Sequence, residues 1–271
     1  MLRTRRRVSL SRLSERLPWG AWLQLCGWDA AAITGAIGRL SDPGLTFVQV
    51  GANDGVLYDP VHSLVAERGW RGVLIEPVPW IFKELVENYS GVDGLSFENV
   101  AVGATDGIMP LYYVTPREGE PDFLRCLATF KRSILESHAW AAPDIAERVE
   151  QIDVPTLSLA SLVERHEINL LDLFVSDTEG YDYEILKQID FRAPWAPRFI
   201  IFEVRHLDKA TLREAKRRLR RSGYRWFSTW QDVFAYRDTP RGARRRKEAA
   251  PMAGADCSGT PWGEGTIHAN P

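Results

Sequence analysis

Apolar positions along the chain alternate between two spacings, one every second residue and one every third or fourth. Thr46-Phe-Val-Gln-Val50 is a short β-rich run that ends directly in Gly51-Ala-Asn-Asp-Gly55, and helical spacing follows from about Pro60 to Arg68. The grammar then repeats. Gly72-Val-Leu-Ile-Glu76 predicts a buried strand, Pro77 and Pro79 mark a turn, and Ile81, Leu85 and Tyr89 place a helix over residues 80–88. A third strand is predicted over 95–102, and Leu111 to Val114 reads as an extra strand after the turn at Asp106-Gly107.

The rhythm breaks over Thr115 to Gln151, which carries Pro116, Pro121 and Pro143 and a predicted helix near 131–139. That is too long for a simple connection, so the segment 115–152 reads as a lid or substrate-facing insertion. A helix over 158–166 then leads into Leu170-Leu-Asp-Leu-Phe-Val-Ser-Asp177, a near-continuous apolar run of the kind a central parallel strand shows. Thr178-Glu-Gly180 closes it. A helix over 181–189, a buried strand at Arg198-Phe-Ile-Ile-Phe-Glu203, an amphipathic basic helix over 209–222 and a terminal hairpin over 224–237 complete the pattern. Strands alternating with helices imply a parallel sheet wrapped on both faces by right-handed crossovers.

Composition adjusts this picture at the ends. The 271 residues, 45% hydrophobic and 26% charged, suit a soluble globular chain with one large core and appendages. The net charge of -2 argues against a nucleic-acid partner. Arg3, Arg5, Arg6 and Arg7 open the chain, and residues 1–45 read as a basic, helical N-terminal extension. Trp19, Trp22 and Trp28 within it would suit peripheral membrane contact, although packing on the main domain is the expected role. No signal peptide or membrane span is read there. Arg241, Arg244, Arg245, Arg246 and Lys247 belong to a Gly- and Pro-rich stretch, and residues 239–271 are expected to be disordered beyond a main domain of 46–238. Cys26, Cys126 and Cys257 are odd in number and widely spaced, which fits neither disulfides nor a metal motif and suggests a reducing cytoplasm.

In an open α/β sheet, ligands bind beyond the carboxyl ends of the strands. Gly51 to Gly55 follow the first strand, where glycine allows close backbone approach and a nearby helix start would present free N–H groups. Glu76 ends the second strand about 20 residues later, the place where nucleotide-binding folds hold ribose hydroxyls on an acid. The loop departs from the Gly-x-Gly-x-x-Gly fingerprint, which weighs against a dehydrogenase. Asp177 and Glu179 end one central strand, and Glu203 with His206 ends the next. His62, His138 and His166 lie on predicted helices and read as packing or solvated residues. Trp140, Trp195, Trp226 and Trp230 read as core or rim.

Phe47-Val-Gln-Val-Gly-Ala-Asn-Asp-Gly55, Ile75-Glu-Pro77, Asn99-Val-Ala-Val-Gly103 and Ser176-Asp-Thr-Glu-Gly-Tyr-Asp-Tyr-Glu-Ile-Leu186 occur in that order, and together they resemble the motifs of the FkbM family of O-methyltransferases. Leu127-Ala-Thr-Phe-Lys131 and Phe202-Glu-Val-Arg-His-Leu207 are similar to its middle segment and last buried strand, so the resemblance spans about 46–207. One departure stands at Val175, where related sequences commonly carry Lys or Gln.

The resemblance implies a Rossmann-like class I methyltransferase with a mostly parallel seven-stranded sheet, helices on both faces and a terminal antiparallel hairpin. It also implies S-adenosylmethionine as cofactor. Gly51, Ala52, Asn53, Asp54 and Gly55 would hold its methionine end, Glu76 its ribose, and Val100 and Ala101 would neighbour its adenine. The acceptor would be a small-molecule or glycan hydroxyl, on a sugar or a secondary metabolite. Two mechanisms are open: His206 or Asp177 as general base beside Glu203, or a Mg²⁺ ion held by Asp177, Glu179 and Glu203. A catalytically degenerate cofactor-binding or interaction module is the alternative reading.

Overall fold

The structure is a computed structural model and describes residues 44–237. The N-terminal extension, apart from residues 44 and 45, and the tail over 239–271 lie outside the described residues.

Strands β1 (Thr46–Val50), β2 (Arg71–Ile75) and β3 (Leu95–Glu98) run parallel on one side of the main sheet. On its other side lie β8 (Leu173–Ser176) and β9 (Phe199–Glu203), also parallel. The antiparallel strands β10 (Arg225–Ser228) and β11 (Asp232–Tyr236) finish it, in the order β10-β11-β9-β8-β1-β2-β3. This is the seven-stranded class I methyltransferase sheet that the resemblance implied. Between β1 and β8 the order reverses direction, and such a switch point opens a crevice at the carboxyl ends of the strands.

Strand residues alternate between two cores, because successive side chains point to opposite faces. Val48, Val50, Val73, Ile75, Phe174, Ile200 and Phe202 share one core. There they meet α4 (Leu159–Arg165), α5 (Asp182–Gln188) and α6 (Lys209–Arg221) through Leu162, Ile185 and Leu219. Phe47, Leu74, Leu173, Val175, Phe199 and Ile201 form the other, against Leu64 of α1 (His62–Arg68) and Leu85 of α2 (Pro79–Asn88). Burial on both faces explains why these strands read as continuous apolar runs. Val175 is one of these core residues, so apolar chemistry is what its place in the fold asks for.

The strand predicted over 95–102 divides in two. Asn99 turns its amide to the carbonyls of Glu76 and Pro77, at 2.8 and 3.2 Å, and the chain leaves the main sheet there. It resumes as β4 (Ala101–Val102) in a second sheet with β5 (Gly107–Tyr113), β6 (Ala128–Thr129) and β7 (Glu150–Leu157), in the order β4-β7-β5-β6. Between β5 and β7 the chain folds around its own small core of Val114, Leu124, Leu127, Leu135, Ala142 and Ile145. The helix predicted near 131–139 is the single short α3 (Arg132–Glu136). Among the described residues, no helix is long and apolar enough to cross a membrane.

Candidate active site

Val50 pairs with Ser176 in register, so Gly51 and Asp177 leave the sheet side by side at the switch point. Gly51 has φ +76°, and a Cβ there would stand 1.8 Å from the carbonyl oxygen of Asp177. Gly55, at φ +72°, is crowded by the side chains of Tyr89 and Leu85. Neither position has room for a side chain.

The helix start expected to present free N–H groups is not adjacent to this loop, and most of the loop's own amides are engaged. The amides of Gly51 and Ala52 donate to the Ile75 carbonyl, each at 3.0 Å, and that of Gly55 donates to the Ala52 carbonyl. Asp54 accepts from the Val56 and Leu57 amides at 2.9 and 2.7 Å, and α1 begins only at His62. The loop therefore satisfies itself and offers shape and side chains instead of a bed of amides for phosphates.

Glu76 follows β2 and is 5% exposed. Its two oxygens accept from the Asn53 amide at 3.0 Å and the Val78 amide at 2.9 Å. Burial pushes its carboxyl up to about 7, against the pull of those two amides. Each oxygen keeps a second lone pair for a ligand hydroxyl.

These residues border a cavity of about 890 Å³. Gly51, Ala52, Asn53, Glu76 and Ala101 line it near β1 and β2, and Asp177, Glu179 and Glu203 line it near β8 and β9. Asp54 and Gly55 shape the loop behind the wall, and Val100 points into the main core instead of toward the cavity. Buried polar atoms of lining residues that have no hydrogen-bond partner include Gln49 Oε1, Asn53 Oδ1, Glu179 Oε2 and Glu203 Oε2. Unpartnered polar atoms in a cavity wall are what a polar ligand would satisfy.

The side chain of Asp177 is open to the cavity yet lies deep in the cleft. Loss of surrounding water, then the charges of Glu179, Asp182 and Asp232, hold its carboxyl well above the usual range, opposed by Arg205. Because the cavity admits water, the neighbouring carboxylates are the part of this effect that survives hydration. Ser176 donates to the buried Asp182 at 2.6 Å, and the Gly180 amide reaches the same carboxylate, which stiffens the turn after Asp177.

The metal set expected from the sequence, Asp177 with Glu179 and Glu203, is not the one whose atoms converge. Glu179, Glu203 and His206 each place one ligand atom within 4.8 Å of the other two, and Asp177 falls outside that group. The physical reason lies in the Thr178-Glu-Gly turn. Glu179 adopts φ +51°, and its Oε2 comes 2.8 Å from His206 Nε2. Gly180, at φ +94°, has no room for a Cβ beside Ile134 and His206. Burial, then Asp177 and Glu179, pushes the Glu203 carboxyl up to about 11.

Residues distant in sequence complete the wall. Thr129 Oγ1 donates to the Glu179 carbonyl at 2.8 Å and Lys131 Nζ to the Gly180 carbonyl at 2.7 Å, so the 115–152 segment is tied to the turn after Asp177. Phe123 stacks on Trp140 with ring centroids 5.6 Å apart, and Trp140 is 69% exposed. Facing the same cavity, Trp230 is 71% and Tyr58 73% exposed. Asp232, which pairs with Glu203 across β11 and β9, also lines it. Trp195 and Trp226 pack against the main core. His138 and His166 are buried, the first on the Ile134 carbonyl and the second on Glu98, while His62 packs on Tyr89.

Sequence motifs showed neither Trp230 nor Asp232 as site residues, since a hairpin tip carries no local signature. No curated protein sequence matches the chain. Among solved structures, the chain is similar to the METTL16 MTase domain, at 13% identity over 82% of this chain and 85% of that one, with a TM-score of 0.42. It is likewise similar to a human methyltransferase 10 domain containing protein, at 11% identity over 80% of each chain and a TM-score of 0.38. A third is precorrin-6y C5,15-methyltransferase from Geobacter metallireducens GS-15, at 13% identity over 76% and 87% and a TM-score of 0.38. The sequence model of the methyltransferase FkbM domain matches residues 49–226, well over half of the chain, and the chain belongs to that methyltransferase family.

Proposed function

We propose that the protein transfers a methyl group from S-adenosylmethionine to a hydroxyl oxygen of a small molecule or glycan. The observation that carries this reading is the arrangement of one cavity, with Glu76 and the self-satisfied glycine loop at one side and Asp177 at the other. A volume of about 890 Å³ falls within the usual range of roughly 300–1,000 Å³ for ligand sites. S-adenosylmethionine, when bound, supplies an electrophilic methyl on a positively charged sulfur. The carboxylates of Asp177, Glu179 and Asp232 make a wall that attracts such a cation and would repel the pyrophosphate of a dinucleotide.

The chain's own groups divide the remaining work. Glu76 accepts from the ribose hydroxyls, and Ala101 and Val102 offer an apolar surface for the adenine. Trp140 and Trp230, with Tyr58, present aromatic faces at the rim on which a sugar or a flat ring can lie. Asp177 would take the acceptor's hydroxyl proton on a carboxylate oxygen while the methyl passes from sulfur to the acceptor oxygen, its bond to sulfur breaking to leave neutral S-adenosylhomocysteine. His206 is the less direct base, because it stands behind Glu179 and outside the cavity wall.

Incubation with methyl-labelled S-adenosylmethionine and a panel of oligosaccharides and polyhydroxylated metabolites tests the reaction. The expected product carries the label as an ether that survives mild alkali. Label released by alkali as an ester, or retained on nitrogen, would contradict transfer to a hydroxyl.

A further inference from the structure

Two residues of the cavity wall, Glu179 and Glu203, meet His206 behind it, and each of the three carries a buried, unsatisfied atom. Glu179 Oε2, Glu203 Oε2 and His206 Nε2 are each buried and lack a hydrogen-bond partner. Glu203 is 8% exposed, so its carboxylate has little water to compensate it. His206 Nε2 lies 2.8 Å from Glu179 Oε2 and 3.8 Å from Glu203 Oε1. The shorter contact joins the two atoms closely without hydrogen-bond alignment. Ligand atoms that share one cation through bonds of about 2.1 Å stand roughly 3–4 Å apart, and here one candidate atom of each residue lies within 4.8 Å of the other two, with the contacts to His206 at 2.8 and 3.8 Å.

We infer that Glu179, Glu203 and His206 form a site for one divalent transition-metal ion, with Mn²⁺ as its best-suited probe. Two carboxylates suit Mn²⁺ and Mg²⁺ alike, whereas an imidazole ligand favours the transition ion. The ion would supply positive charge beside the buried Glu203 and the half-buried Glu179, and so favour the ionised form of both. It would replace the missing hydrogen bonds of all three atoms at once. Surrounding contacts hold the ligands in place: Thr129 fixes the carbonyl of Glu179, the His138 ring lies 5.9 Å from that of His206, and Ile134 and His206 pack on Gly180. Glu179 and Glu203 also line the cavity, but metal binding there needs no acceptor and no cofactor, so its test does not depend on the methyl-transfer reading.

The test is calorimetric titration of the full chain, stripped with chelator, using Mn²⁺ and then Mg²⁺, with electron paramagnetic resonance to count bound Mn²⁺. One Mn²⁺ per chain is expected, bound at least about tenfold more tightly than Mg²⁺. Glu203→Gln and His206→Gln should each weaken Mn²⁺ by roughly tenfold or more while leaving the circular dichroism spectrum intact. Mn²⁺ should also raise the melting temperature of the wild type and not of the variants, which separates loss of the site from loss of the fold. No saturable Mn²⁺ binding, equal affinity for Mg²⁺, or binding unchanged in both variants would overturn the site.

Discussion

The carbonyl oxygen of Asp177 occupies the place where a side chain on Gly51 would begin, 1.8 Å from the position of its Cβ. The loop after β1 and the turn after β8 are thereby pressed together, so the residues expected to hold the cofactor and the one expected to take the proton are set by a single backbone contact. Gly51→Ala must push the two strand ends apart and also force alanine to φ +76°. We expect a loss of at least about 2 kcal/mol in stability. Denaturant unfolding measures it, and a loss below half that value would show that the contact yields easily.

Glu76→Ala removes a buried acceptor beside Asn53 and Val78. Affinity for S-adenosylhomocysteine should fall by about 1.5–3 kcal/mol, or roughly ten- to a hundredfold. Calorimetry on the folded variant reads this directly. Unchanged affinity would make Glu76 a purely structural anchor for the loop.

The same carboxyl gives a pH dependence. It is held at about 7 in the folded protein, above its ordinary value of 4.5. The sign follows from linkage: the folded state binds the extra proton, so the contribution of Glu76 to stability is greatest below 4.5 and declines as pH rises toward about 7. Ligand hydroxyls need the charged form, so cofactor affinity should move oppositely, rising from pH 6 to about 8 and then levelling. Glu76→Gln should flatten that rise. A wild-type affinity that is constant across this window would contradict the assignment.

Trp140 and Trp230 expose their rings at the cavity rim, and neither supports the main core. Replacing either with alanine should raise the KM for the acceptor about three- to tenfold, the worth of one aromatic contact, with kcat and cofactor affinity nearly unchanged. A fall in kcat with constant KM would instead place these rings in the chemical step.

The main sheet was legible because β1, β2, β8 and β9 are covered on both faces and appear as unbroken apolar runs. The second sheet was legible only in part, since the strand predicted at Leu111 to Val114 overlaps β5 and that over 95–102 contains β4, whereas β6 and β7 were missed. Pro110 and Pro155 sit inside β5 and β7, and a proline within a run obscures a strand, although Ile152, Val154 and Thr156 alternate inward along β7 as a half-buried strand requires. Asn99 likewise hid the division between β3 and β4, since nothing local shows that its side chain will turn to Glu76 and Pro77. At the site, motifs located Gly51, Glu76 and Asp177, but partner choice depended on backbone direction. The left-handed turn at Glu179 sends its carboxylate to His206, and spacing along the chain cannot show that.

Asp177→Asn keeps the shape of the side chain and removes its charge. If Asp177 takes the acceptor proton, turnover should drop by about 10²-fold or more while cofactor affinity stays within a few fold. Normal turnover on the true acceptor would leave Asp177 as a structural carboxylate.

Titration of the wild-type chain with S-adenosylhomocysteine, alongside NADH, bears most directly on the cavity as a methyl-donor site. One molecule of S-adenosylhomocysteine should bind per chain in the micromolar range, with no heat from NADH, and the binding should weaken in Glu76→Ala. Binding of NADH with none of S-adenosylhomocysteine would contradict it.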